Sequence, residues 1–468
     1  MEKEQEMAGR FGRTLRGFAF FYGLFHILLS VYRFYRAVYQ TPLMYVDYAL
    51  GALLLLVAGG YLCGLAVKNK GLPARTRTFL KPFLKPAYLI PFGLAAWSVL
   101  SVVCSPMKAD GAWLSRNVYN LYDCLVSLLV LLPMARFFAG DRRPLRVVIH
   151  TLTAILTPLM IYVIIEMFAG RIIDLPGDYD VLMLDMNGTK RLWIGAHANN
   201  TGAYAMVMIM LCVYMASREK PLLKVLYGLS AGVHLVILVL TNSRTAMLTI
   251  GLFACCAALL LAAPRIGRMK TKSKVLLLLL AAVALIGAYA LFTGGIYSLL
   301  GRTTDAENAS SRLLNFVDTG RFRVWGAAFR SYVYSVGHFL FGVTPASVSD
   351  MIMHFTDGEI YYHTHNQILE IGVALGVPAM LAFIWWLVLL LKRGVRRISL
   401  KGGAPFAEKL LPVIVAMLLV SNMLEVMLLF HNLLPGSIFF LLAGYVLTKE
   451  KPRRAALMDQ RMDDIKRA

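Results

Sequence analysis

Runs of about twenty apolar residues, separated by short polar connections, dominate this chain. A run of that length crosses the hydrocarbon core of a bilayer as an α-helix, and lipid offers the backbone no other open structure. Twelve such runs lie near 18–37, 44–67, 86–104, 118–139, 147–169, 198–217, 222–241, 245–263, 275–297, 366–391, 410–430 and 433–448. The pattern predicts an all-α, polytopic membrane bundle of about 12 transmembrane helices. Its expected parts are a tail over 1–17, nine helices over 18–297, a long loop over 298–365, three helices over 366–448 and a basic tail over 449–468. No cleavable signal peptide is evident in the first 17 residues, which are charged.

Two connections are long, 170–197 and 298–365. In the second, Phe322, Trp325, Phe329, Val333 and Val336 repeat at helical spacing, with Asp318 or Thr319 placed to cap the helix. That helix is expected along the membrane surface or over a cavity mouth. No internal repeat is visible, which weighs against a transporter built from repeats.

Charge supplies the orientation. The formal net charge is +22, which alone would suggest nucleic acid. Yet only 16% of residues are charged and 58% are hydrophobic, where a soluble domain carries about 25% charged residues. With both termini in the cytoplasm, the inner segments hold 35 Lys and Arg against 10 Asp and Glu, a net +25. The remainder holds 13 against 16, a net −3. This asymmetry follows the positive-inside rule and removes the case for nucleic acid. The six cysteines show no metal-ligand spacing and read as buried thiols.

With that orientation, four polar clusters fall at the outer ends of the spans: Lys190 to Asn200, Thr241 to Arg244, Thr319 to Trp325 and Tyr361 to Asn366. Arg244 either binds an anion with its planar fork or snorkels to lipid headgroups. Arg321 and Arg323 are two apart, so on one helix they diverge by about 200°. One can face a ligand while the other meets water or lipid. His365 can take and return a proton near neutral pH, and Asn366 is placed to orient the ring or a substrate hydroxyl. His363 and His365 could also ligate a metal, with His354, Asp357 and Glu359 near in sequence. Asp123, Glu166 and Glu425 are ionisable groups within apolar runs, and Glu425 with Asn422 and His431 hints at ion coupling.

In their order, these motifs resemble the O-antigen ligase and polysaccharide polymerase superfamily of bacterial envelopes. The resemblance covers roughly 190–390. It rests on Gly195-Ala-His197-Ala-Asn199-Asn200, on Thr241-Asn-Ser243-Arg244, and on Gly320-Arg321 followed by Trp325. It continues with Phe341-Gly342-Val343, and with His365-Asn366 followed after nine residues by Gly376-Val-Pro-Ala379. Ala379 departs from the usual last position of that signature.

The resemblance implies glycan transfer outside the bacterial cytoplasmic membrane. No metal or other cofactor is implied. The donor would be a glycan on a polyprenyl diphosphate, typically undecaprenyl, and the acceptor a hydroxyl on a glycan, lipid or protein. Membrane lipids and other polysaccharide-assembly membrane proteins are candidate partners; nucleic acid is not. Carried over by residue, His365 matches the catalytic histidine. Arg244 and Arg321 match arginines on the diphosphate, and Arg191 is a further candidate. Asn366, His363, Ser243, Asn200 and Trp325 are expected to support them. The alternatives are a polysaccharide transporter or lipid-linked oligosaccharide flippase, and a membrane scaffold or sensor.

Overall fold

The computed structural model describes residues 2–36, 42–68, 80–105, 111–138, 140–169, 173–174, 180–186, 189–193, 198–268, 321–359, 361, 363–398, 405–430 and 434–448. The expected span over 275–297, the candidate caps Asp318 and Thr319, and the basic tail lie outside these residues, as do Gly195, His197, Gly320, Tyr362 and His431. What is described is a polytopic helical membrane protein. Eight of the described helices are long and apolar enough to cross a membrane: Thr14–Tyr32, Pro42–Tyr61, Pro86–Cys104, Arg116–Phe137, Arg143–Phe168, Pro221–Thr241, Arg244–Ala263 and Val377–Ile398. Their outward faces carry Leu56, Phe168, Leu222 and Leu229, all more than half exposed. Such a perimeter is stable when lipid tails solvate it.

Three further helices, Ala198–Ala216, Phe406–Asn422 and Leu434–Leu447, fill the interior. Every residue of Leu434–Leu447 is buried, as expected of a helix apolar on all sides. Trp386 stacks on Phe440 with ring centroids 5.8 Å apart, and its Nε1 donates to the Ala87 carbonyl at 3.0 Å. At Gly444 an added Cβ would lie 2.0 Å from the Leu132 carbonyl oxygen, so glycine permits the backbone approach.

The structure corrects two expected spans. The run 410–430 is not one helix: its helix ends at Asn422, and residues 423–430 form a non-helical strap. The run 366–391 is split at Gly376 into Gln367–Leu375 and Val377–Ile398. Gly376 has φ of +89°, and an added Cβ would meet the Leu340 carbonyl oxygen at 2.2 Å. Gly342, at φ of +68°, would reciprocally strike the Ala374 carbonyl at 2.5 Å. The two motif glycines therefore interlock the long loop with the broken helix.

The break strands carbonyls that a continuous helix would have satisfied. Val343 N–H donates to Val373 O and Thr344 N–H to Ala374 O, each at 2.9 Å. Trp97 Nε1 donates to Leu375 O at 2.9 Å, and Ser101 Oγ to Ala374 O at 3.2 Å.

Within 170–197 the described residues include an antiparallel sheet in the order Ile173–Asp174, Asp180–Met186, Thr189–Trp193. Met186 pairs with Thr189 across Asn187-Gly188, a dipeptide that favours tight hairpins.

Candidate active site

The polar groups of several distant segments converge where the long loop meets the bundle. His365 lies in a turn at φ of +54°. Asn366 follows as the N-cap of Gln367–Leu375, its Oδ1 accepting from Ile368 N at 3.0 Å and Leu369 N at 3.2 Å. Glu370 Oε2 reaches back to accept from Thr364 N at 2.9 Å, and Trp325 Nε1 donates to Thr364 O at 3.0 Å. The histidine turn is thus fastened from both sides. Asn366 caps the helix and donates from Nδ2 to Met423 O at 3.2 Å, a role different from the expected orienting of the ring.

The strap 423–430 is held just as closely. Asn422 Oδ1 accepts from Met427 N at 2.9 Å, and Gln367 Oε1 accepts from Leu428 N at 2.9 Å. These bonds replace the helical ladder and deliver Glu425 into the site. Its side chain is 5% exposed. Asn199 Nδ2 donates to Oε1 at 3.0 Å, Arg321 Nη2 donates to the same oxygen at 3.2 Å, and His365 Nδ1 faces Oε2 at 3.2 Å. Burial opposes ionisation of Glu425, and the donors from Asn199, Arg321 and His365 offset that cost.

Two donors or acceptors are left over around this carboxylate. Arg321 Nε is buried with no hydrogen-bond partner among the described residues. An ionised carboxylate accepts only, so Nδ1 of His365 carries a proton toward Glu425, and in the neutral ring Nε2 is the acceptor. His363 packs edge-on against His365 with centroids 4.2 Å apart, and its Nδ1 accepts from His365 N–H at 3.2 Å.

Other sequence candidates fall into place unequally. Arg321 and Arg323 do diverge: side-chain exposure is 12% for Arg321 and 42% for Arg323. Arg323 pairs with Asp357 at 3.0 Å and with Glu359. That pairing takes Asp357 and Glu359 away from the histidines, and His354 packs on Tyr334 and Phe355. The metal set drawn from sequence proximity is therefore not assembled. His363, His365 and Glu425 do bring ligand atoms within 4.8 Å of one another. Their Nδ1 atoms and both carboxylate oxygens are already engaged in hydrogen bonds, and a guanidinium sits on the carboxylate. As placed, these groups form an ion-paired, hydrogen-bonded cluster.

Arg244 is half-buried at the start of Arg244–Arg268, directly after Asn242 in the left-handed conformation and buried Ser243. Ser243 packs on Gly202, where an added Cβ would lie 2.5 Å from the Ser243 Cβ. Gly202 is one helical turn beyond Asn199, so the arginine turn and Glu425 meet the same helix end. Asn200 is half-buried beside them. Arg191 lies on the strand Thr189–Trp193, which packs against the helices Ala198–Ala216 and Pro221–Thr241; its side chain is outside the described residues. Glu425 and Asn199 are the members that sequence reasoning did not assign to the site. The signal was a carboxylate inside an apolar run.

This is the architecture of a polytopic membrane protein with one polar site gathered at helix ends. Residues 229–384, about one third of the chain, match the family model described as O-Antigen ligase, which supports placement in the O-antigen ligase-like superfamily of membrane glycan ligases and polymerases. The match spans Ser243, Arg244, Arg321, Trp325, His363, His365 and Asn366, and leaves Arg191, Asn199, Asn200 and Glu425 outside it. No curated protein matches the chain.

Proposed function

We propose that the protein is a metal-independent, inverting glycosyltransferase that moves or polymerises a glycan from a polyprenyl diphosphate onto a hydroxyl acceptor. The reaction takes place outside the bacterial cytoplasmic membrane, with both termini inside, during surface polysaccharide synthesis. The acceptor proton passes to His365 Nε2 as the oxygen attacks the anomeric carbon. The bond to the diphosphate breaks, and its electron pair leaves with the phosphate oxygen. A single displacement inverts the anomeric carbon. Charge grows on the leaving diphosphate, where Arg321 and Arg244 stabilise it more in the transition state than before. Arg191 is a further arm on the same side. The polyprenyl chain stays in lipid against the apolar perimeter.

The observation that carries this reading is the meeting of Arg321 and His365 on one carboxylate, although 44 residues separate them in sequence. A base and an anion-binding arm are what this displacement requires. The flippase alternative leaned on Glu425 as a coupling ion site. The three donors around Glu425 favour a fixed charge over a group that loads and releases protons.

His365→Ala in cells, read by the leaflet location of lipid-linked precursor, tests the proposal. Loss of transferred glycan with precursor collecting on the outer leaflet is expected. Precursor trapped on the inner leaflet would instead favour a flippase.

A further inference from the structure

We propose that Glu425 is a positioning residue: its one carboxylate keeps the His365 proton on Nδ1, so that Nε2 accepts, and aims the Arg321 fork at the leaving diphosphate. The inference rests on the transfer reading above and deepens it. Three segments converge on this carboxylate, carrying Asn199, Arg321, and His365 with its neighbour His363. Glu425 itself comes from a fourth, the strap that Asn422, Gln367 and Asn366 hold out of helical form.

The placement has a chemical use. When the acceptor proton reaches Nε2, His365 becomes a cation beside the cationic Arg321. Bare, the two would repel each other as the acceptor oxygen bonds to carbon and the diphosphate departs with its electron pair. Glu425 lies against both, with a side chain 5% exposed, where water screens little. It holds Arg321 through Nη2 and leaves Nε without a protein partner among the described residues. The same carboxylate therefore readies the base and the leaving-group arm.

Glu425→Gln keeps the size of the side chain and an oxygen for Asn199 and Arg321. Its amide can instead donate to Nδ1, which drives the proton to Nε2 and removes the acceptor. In full-length protein reconstituted with lipid-linked glycan from the host, kcat is expected to fall roughly 10²- to 10⁴-fold with KM within about threefold. Binding of undecaprenyl diphosphate alone is expected to hold within about threefold. Against the residual rate of His365→Ala the same change should cost nothing further, because Gln still holds Arg321 and the effect it loses acts through His365.

A full second loss in that background overturns the proposal, as does a wild-type kcat for Glu425→Gln while His365→Ala falls about 10²- to 10⁴-fold. Should the Gln variant not fold, Glu425→Asp withdraws the carboxylate by one methylene. It is expected to lose about tenfold or more in kcat, and a wild-type kcat overturns the proposal equally. A fully active His365→Ala removes the transfer reading itself, so the two failures are distinguishable.

Discussion

Two glutamates at opposite ends of the helix and strap 406–430, Glu408 half-buried and Glu425 buried, gather cations in contrasting ways. Glu408 takes Arg142 Nη2 at 2.6 Å and Arg218 Nη1. Arg142 also lies over the Tyr445 ring at 4.7 Å, and Arg218 Nη1 donates to Tyr214 Oη at 3.1 Å. Beside them Arg146 pairs with Glu219 at 2.7 Å. The guanidiniums of Arg142 and Arg218 both meet a carboxylate and an aromatic side chain, and the network ties together the ends of several helices. Glu425 instead meets an amide, one guanidinium and a histidine, and Arg321 Nε lacks a partner among the described residues. Ion pairs laid between helix ends stabilise a fold, whereas a buried carboxylate shared by a histidine and an arginine from distant segments marks a place for a ligand.

The largest expected difference is catalytic. Arg321→Lys and Arg244→Lys should each lower transfer about 10- to 100-fold, because a point charge replaces a bidentate fork. Full activity of both would remove the diphosphate assignment. Glu408→Gln should leave the rate per folded molecule unchanged and instead cost about 2 kcal/mol of stability, read as a lower melting temperature in detergent. A catalytic loss without a melting shift would erase the distinction between the two ends.

Acid sharpens the same contrast. Burial raises the Glu408 pKa, but Arg142 and Arg218 outweigh it and hold the carboxyl below its usual value of 4.5. Its stabilisation is therefore complete above that value and is lost as pH falls through the lower, folded-state value. Thermal melting of wild type should weaken over that acid range, and Glu408→Gln should flatten the dependence. The smallest expected effect is that of chelation. EDTA should leave transfer unchanged, and a loss reversed by a divalent cation would make His363, His365 and Glu425 a metal site.

The helical class was legible because apolar runs of membrane length have few other solutions. His365, Arg244 and Arg321 were legible as polar groups at run ends. The divergence of Arg321 from Arg323 followed from helical geometry alone. Hydrophobic periodicity could not reveal that 410–430 leaves the helix at Asn422, since a strap buried in protein is as apolar as a helix. Glu425 was read with Asn422 and His431 for that reason, 60 residues from the histidine it meets. The buried His26–Asp47 pair, 2.9 Å apart, was similarly silent because both residues are isolated polar positions in separate runs.

The most direct test is turnover by the purified full chain in proteoliposomes, with lipid-linked glycan donor and acceptor glycan supplied and EDTA present. The account predicts product of inverted anomeric configuration from wild type, and a rate about 10²- to 10⁴-fold lower from His365→Ala although that variant still binds undecaprenyl diphosphate. Product from His365→Ala at the wild-type rate would contradict it.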